Sequence, residues 1–358
     1  MQSALARVND PALNRSLVSA GMLREVAVEG QRVRVAIRLT TPACPSRDVI
    51  ERSVREAVGK LDAAAQVDVT FSAEVARRQT AQQSERLPGV RNVIAVAAGK
   101  GGVGKSTVTT NLAAALHVLG ARVGILDADV FGPSIPQMMG TPDQPPGLQA
   151  GDKIQPSVHH GISVVSIAFF VERGAPIIWR GPMIHKLLQQ FTEDVDWGEL
   201  DYLVVDLPPG TGDTQLSLSQ LIPVTGAVMV TTPQEVSVLD VEKALGMWKK
   251  VEVPVLGVVE NMSYYVCPSC GHHEEIFSRG GGRKLAEREG LPFLGEVPLQ
   301  PAVRGGGDAG KPVVLADPDS PVSRVFVDIA RQVACALSVR NLPDPGLAKR
   351  SSKLSVLR

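Results

Sequence analysis

The sequence predicts an α/β protein with a mostly parallel sheet and helices on both faces, preceded by a small α+β unit. Three observations carry this expectation. From Asn92 to about Leu337, short apolar strand segments alternate with helical ones, the order that parallel strands joined by helical crossovers produce. A glycine-rich turn, Gly99 to Ser106 (GKGGVGKS), falls between the first of those strands and the first helix. Residues 1–77 carry their own apolar periodicity, ahead of a polar stretch.

In the N-terminal unit, Pro11 to Met22 is predicted helical. Val26 to Val28 and Val33 to Leu39 alternate around Glu29-Gly30 and read as a hairpin. Arg47 to Leu61 carries Ile50, Val54, Val58 and Leu61 at helical spacing, and Val67 to Phe71 is a last strand. The predicted order is αββαβ. Residues 78–91 are expected to link the units, since Gln79 to Gly89 is polar and closes on Pro88-Gly89. In the second unit, 92–340, Asn92 to Ala97 is the first strand and Thr107 to Leu119 the first helix, with Gly120 where a helix C-cap belongs. Val123 to Leu126, Ile162 to Ile167, Tyr202 to Val205, Ala227 to Val230, Val255 to Val259 and Phe293 to Val297 supply the other strands. Residues 341–358, with Lys349, Arg350, Lys353 and Arg358, are expected to form a flexible basic tail.

A chain of 358 residues with 44% hydrophobic content can bury a large core. Thirty-seven basic residues balance thirty-seven acidic ones, so no global field favours nucleic acid or an anionic membrane. The start of the chain, with Arg7 and Asp10, lacks the apolar run of a secretion signal, and no stretch reaches membrane-spanning length. The expected location is cytoplasmic. Four cysteines in a chain this long do not make a disulfide scaffold, and each is weighed separately.

The Gly99–Ser106 segment matches the phosphate-binding pattern G-x-x-x-x-G-K-[ST]. Its glycines let successive backbone N–H groups turn toward an anionic phosphate chain, Lys105 reaches the β- and γ-phosphates, and Ser106 is placed for Mg2+. Strand, loop and helix follow in the required order, so the expectation is a P-loop NTPase binding ATP or GTP. Gly101, Gly102, Val103, Gly104 and Thr107 complete the nucleotide-binding set. Asp206 closes an apolar strand, where a carboxylate can hold the Mg2+ shell. Pro208 to Asp213 follows as a switch segment in which Gly210 can meet a γ-phosphate. Asp127 and Asp129 close another strand. Asp127 is assigned to the nucleotide and its metal, and Asp129 to positioning the attacking water.

Four segments together resemble one family: GKGGVGKST, Leu126 to Pro136 (LDADVFGPSIP), Val204 to Asp213 (VVDLPPGTGD) and Glu260 to Gly271 (ENMSYYVCPSCG). They are similar to the Mrp/ApbC family of P-loop ATPases that carry iron–sulfur clusters. That family belongs to the deviant Walker A class, which also holds MinD, ParA and the nitrogenase iron protein. The resemblance implies a homodimeric ATPase with slow hydrolysis that takes a cluster from donor proteins and passes it to apo-proteins. It implies that Lys100 crosses the two-fold interface to the partner's ATP, and that Asn261 contacts adenine. The N-terminal unit, through NRSLVSAGM and LTTPACP, resembles the small domain of iron–sulfur assembly factors.

Cys267 and Cys270 form one C-x-x-C. A 4Fe–4S cluster, the type expected here, takes four thiolates, as a structural zinc site takes four ligands. One chain supplies two, and a two-fold dimer presents the same patch twice. Three alternatives stay open from sequence: a redox dithiol, a zinc site completed by His272 or His273 within one chain, and a positioning ATPase of the MinD/ParA kind, for which the cysteine pair is unexplained. Cys44 precedes a helix, where a thiol pKa can fall, and it reads either as a transient ligand or as a core residue. Cys335 has no surrounding motif.

Overall fold

The computed structural model describes residues 2–77, 86–148, 153–170, 181–210, 215, 218, 221–267 and 269–342. Residues 78–85 of the expected linker, Thr211 to Asp213 of the expected switch segment, and the tail from 343 onward lie outside the described residues. Two compact units emerge: 1–77 together with 334–358, and 78–333. No helix among the described residues is long and apolar enough to cross a membrane.

In the N-terminal unit, β1 (Leu23–Glu29) and β2 (Arg32–Leu39) form an antiparallel hairpin, and β3 (Gln66–Ala73) adds parallel to β2 after helix α1 (Arg47–Gly59). Val33, Val35, Ile37 and Leu39 alternate inward along β2 and meet Ile50, Val54 and Val58 of α1 in one apolar cluster. Period-two and period-3.6 faces thus bury each other. The expected helix over Pro11 to Met22 does not form. Asp10 Oδ1 instead accepts the Ala12 N–H at 2.8 Å, Ser16 Oγ accepts the Ser19 N–H at 3.1 Å, and Asn14 takes a left-handed φ of 50°. Short polar side chains there satisfy the backbone locally and give turns.

Among the described residues, the second unit is built on a nine-stranded sheet. Its elements are β4 (Val90–Ala98), α2 (Lys105–Val118), β5 (Val123–Asp127), β6 (Ser157–His159), β7 (Ile162–Ser166), α3 (Gly181–Glu193), β8 (Leu200–Asp206) and β9 (Gly226–Thr231). They continue as α4 (Glu235–Lys250), β10 (Val255–Val266), β11 (His273–Glu274), α5 (Gly281–Glu289), β12 (Phe293–Leu299) and α6 (Pro301–Asp308). The order across the sheet is β6-β7-β5-β8-β4-β9-β10-β11, with β12 also paired to β10. Among the described residues, only β6 and β11, at the margins, run antiparallel to their neighbours in this sheet.

Strands β5, β8 and β9 are buried along their whole length, all seven residues of β8 included. This explains why they read as continuous apolar runs rather than alternating ones. Gly120 has φ 95° and ends α2 as expected, its N–H bonded to the His117 carbonyl. The strand order brings the C-terminal ends of β5, β8 and β4 side by side, with Asp127 directly opposite Asp206. Ligands of open α/β sheets bind beyond such ends.

Candidate nucleotide site and cysteine hairpin

Between β4 and α2 the chain turns through Gly99 to Gly104. Two of these glycines are required by close approach. A Cβ on Gly99 would lie 2.3 Å from the Asp240 carbonyl carbon, and one on Gly104, whose φ is 82°, would lie 2.2 Å from Asn261 Nδ2. Asn261 itself donates from Nδ2 to the Val103 carbonyl at 2.8 Å. The amide expected at adenine therefore braces the underside of the loop, although Asn261 also lines the cavity beside it.

That cavity measures about 680 Å³ and is lined by Lys100, Gly101, Gly102, Gly104, Lys105, Ser106, Thr107, Asp129 and Asn261 among the residues expected from sequence. Gly99, Val103, Asp127, Asp206 and Gly210 do not line it. Gly210 turns its N–H back to the Ala98 carbonyl at 3.0 Å. Lys100 is half-buried and, among the described residues, has no ion-pair partner.

Beneath the loop lies a buried charge cluster. Lys105 Nζ is 2.8 Å from Asp206 Oδ2 and 3.2 Å from Asp129 Oδ2. Burial alone would lower the lysine pKa, but the Asp206 and Asp129 carboxylates outweigh it and keep the ammonium charged. Asp206, fully buried, accepts the Ser106 hydroxyl at 2.6 Å and the Thr109 hydroxyl at 2.7 Å. Asp129 Oδ1 accepts the N–H groups of Phe131 and Gly132, so the turn after β5 orients that carboxylate toward the lysine.

Asp127 stands behind this turn. Its oxygens accept the Asp129 N–H, the Ile135 N–H and the Ser166 hydroxyl. Burial, reinforced by the neighbouring Asp206, pushes its carboxyl from 3.8 up to about 8. A carboxyl whose folded pKa is raised stabilises the fold fully below its unfolded value, and that contribution is lost as pH rises through the folded pKa. Metal-free wild-type protein is therefore expected to lose stability between pH 5 and pH 8, and Asp127→Asn to flatten that slope. Urea unfolding in the presence of a chelator, followed by circular dichroism at both pH values, measures it; parallel slopes would reject the assignment.

The cysteine pair sits elsewhere on the same unit. Strand β10 runs to Val266, well past the Val259 expected from sequence, and pairs with β11 so that Val266 opposes His273. Cys267 thus opens a short hairpin loop, closed by its N–H on the His272 carbonyl at 2.9 Å and by the Gly271 N–H on its own carbonyl at 2.8 Å. The amides of Cys270 and Ser269 point at the Cys267 sulfur and lower its pKa. His272 faces Glu274 at 3.2 Å, and His273 stacks on Tyr264 at 5.7 Å. Among the described residues no three potential ligands converge on a metal position.

Cys44 has the opposite environment. Burial raises its thiol to about 11 despite the amides of Ser46 and Arg47, and burial also raises Cys335. The helix terminus that argues for a reactive thiol is outweighed by desolvation. Alkylation of metal-free protein with iodoacetamide is expected to modify Cys267 first and Cys44 last, with half-maximal reaction of Cys44 only near pH 11. Peptide mass spectrometry across a pH series resolves the order, and early modification of Cys44 would contradict its burial.

Several contributors escaped sequence reasoning. Thr109 one turn into α2, Ser166 at the end of β7, and the wall formed by Pro298, Leu299, Gln300 and Val303 belong to the site only through the sheet order. Glu260 is fully buried. It accepts the Ser263 hydroxyl and the N–H groups of Gly280 and Gly282, so one carboxylate holds both ends of the excursion that carries the cysteines. An acidic residue closing an apolar run was its available signal, the same one that marked Asp127 and Asp206.

A glycine loop on a parallel sheet, its lysine held by strand-end carboxylates beside an open cavity, defines a P-loop NTPase. The family profile of the ParA group described as NUBPL iron-transfer P-loop NTPase matches residues 89–334, and that of the iron–sulfur cluster assembly protein matches 1–71. An iron–sulfur cluster carrier protein of Deinococcus radiodurans is 49% identical over 341 residues, covering 95% of this chain and 96% of its own. A nucleotide-binding protein of Archaeoglobus fulgidus, solved with ADP, is 40% identical with a TM-score of 0.59, covering 66% of this chain and 93% of that one. The cell division ATPase MinD of Pyrococcus furiosus, 22% identical, shares the fold at a TM-score of 0.51 over 68% of this chain and 98% of its own. The chain belongs to the NUBPL family of iron-transfer P-loop NTPases.

Proposed function

We propose that this protein is an ATP-hydrolysing iron–sulfur cluster carrier that works as a homodimer, holding a 4Fe–4S cluster between the Cys267 and Cys270 pairs of two chains and passing it to apo-proteins. The observation that supports this best is that a single strand, β10, carries both functions. Asn261 braces the phosphate loop, and Cys267 follows directly on the strand's last residue. The thiolate stabilised by the Ser269 and Cys270 amides suits a soft, thiophilic iron cargo. Two sulfurs leave half the cluster's ligands to a second copy.

At the nucleotide, Lys105 and the loop amides take the phosphates, and the glycine-lined approach leaves room for them. Ser106 and Asp206, a hydroxyl and a carboxylate 2.6 Å apart, are hard oxygen donors that fit Mg2+. The ion supplies charge neutralisation at the β- and γ-phosphates when bound. As Lys105 turns to the phosphates, the Asp129 Oδ2 that faces it is released to accept a proton of the attacking water, while Oδ1 stays fixed by Phe131 and Gly132. Lys100, free of ion pairs among the described residues, completes the partner's site. Asn261 closes the base end of the cavity from beneath the loop.

Anaerobic reconstitution with iron and sulfide, with and without a non-hydrolysable ATP analogue, tests the reading by visible absorption and sedimentation. A coloured dimer is expected. A cluster held by a strictly single-chain species would overturn it.

A further inference from the structure

Behind the cysteine hairpin lies a stack that neither nucleotide binding nor cluster ligation requires. The Tyr264 ring stacks with the His273 imidazole, at 5.7 Å and 15°, and carries the Arg279 guanidinium over it at 5.0 Å from the ring centroid. His273 pairs with Val266, the residue before Cys267, so the stack fixes the base of the hairpin. On its other side Arg279 binds Glu296 Oε2 through Nε at 2.9 Å and Nη2 at 2.6 Å. Glu296 lies on β12 two residues before Pro298, which lines the nucleotide cavity together with Leu299 and Gln300. Arg283 holds the other oxygen, Oε1, at 3.0 Å, and its guanidinium covers Phe293 rather than Tyr264.

We propose that Arg279 is a positioning residue that ties the cysteine hairpin to the β12 wall of the nucleotide cavity, so that filling the cavity changes the hairpin's hold on its cargo. The inference rests on the cluster-carrier reading. Geometry favours Arg279 over its neighbours for this task. Among the described residues it alone touches both the aromatic stack and the carboxylate on β12, and a planar guanidinium can lie flat on a ring while its edge donates to a carboxylate. Lysine, a point charge on a flexible stem, cannot do both. Arg279 is also 44% exposed, and Glu296 keeps Arg283 as a partner when Arg279 is changed. Loss of the tie therefore leaves the fold standing.

The test compares wild type, Arg279→Lys, Arg279→Ala and Arg283→Lys in two measurements. The first is the rate of cluster transfer to an apo-ferredoxin with ATP, with ADP and without nucleotide. The second is the alkylation rate of Cys267 in metal-free protein with and without Mg-ATP, which reads the hairpin directly. In wild type and Arg283→Lys both rates are expected to differ about fivefold between nucleotide states, the scale of an ordinary coupling free energy. In both Arg279 variants the ratios are expected to fall toward one, with ATP affinity and reconstituted iron content unchanged. Ratios that persist in Arg279→Ala, or that collapse equally in Arg283→Lys, would reject the role of Arg279 and leave the carrier reading intact. Wild-type protein that takes up no cluster would remove the carrier reading itself, and the inference with it.

Discussion

Lys100→Ala is expected to bind ATP with near wild-type affinity and to hydrolyse it about a thousandfold more slowly, the lower end of what a cationic group supplied in trans contributes to phosphoryl transfer. Lys100 lines the cavity but pairs with nothing among the described residues, whereas Lys105 is committed to Asp206 and Asp129. Ground-state binding therefore falls to Lys105 and the loop amides, and removal of Lys100 acts on the transition state. Steady-state turnover and calorimetric ATP affinity separate the two. A mixing experiment adds a stronger check. Lys100→Ala chains supply an intact phosphate loop and Lys105→Ala chains supply Lys100, so mixed dimers regain one working site. Mixing that restores nothing would mean that Lys100 acts within its own chain.

Cys267→Ser is expected to abolish stable cluster binding, iron content falling from about four per dimer to near zero after desalting. Cys270→Ser is expected to do the same. The hairpin backbone bonds from the Cys267 N–H and carbonyl do not involve the sulfur, so serine preserves the loop while removing the soft ligand. ATP binding should be unaffected, since no cysteine lines the nucleotide cavity. Iron and sulfide assays beside ATP affinity decide the point. Retention of a full cluster by either variant would require ligands outside the C-x-x-C.

Much of the nucleotide site was legible because its parts are local. The loop glycines, Lys105 and Ser106 are contiguous, and Asp127 and Asp206 stand at the ends of apolar runs. Local patterning misled where side chains compete with helical backbone bonds, as Asp10, Asn14 and Ser16 do over the expected first helix. It was silent on burial at Cys44, where the helix terminus was visible in sequence but the desolvation that outweighs it was not.

Residue order by itself determined the phosphate loop, the alternation that builds a parallel sheet and the C-x-x-C spacing of Cys267 and Cys270, because each depends on neighbours a few positions apart. Only the folded chain decided that Asn261 braces Val103 across 158 positions, that Glu260 fastens both ends of the cysteine excursion, and that Asp127 is a buried support rather than a cavity residue. Those outcomes follow from which strands lie side by side, and strand order comes from burying apolar faces over the whole domain, a collective property that no short stretch of sequence contains.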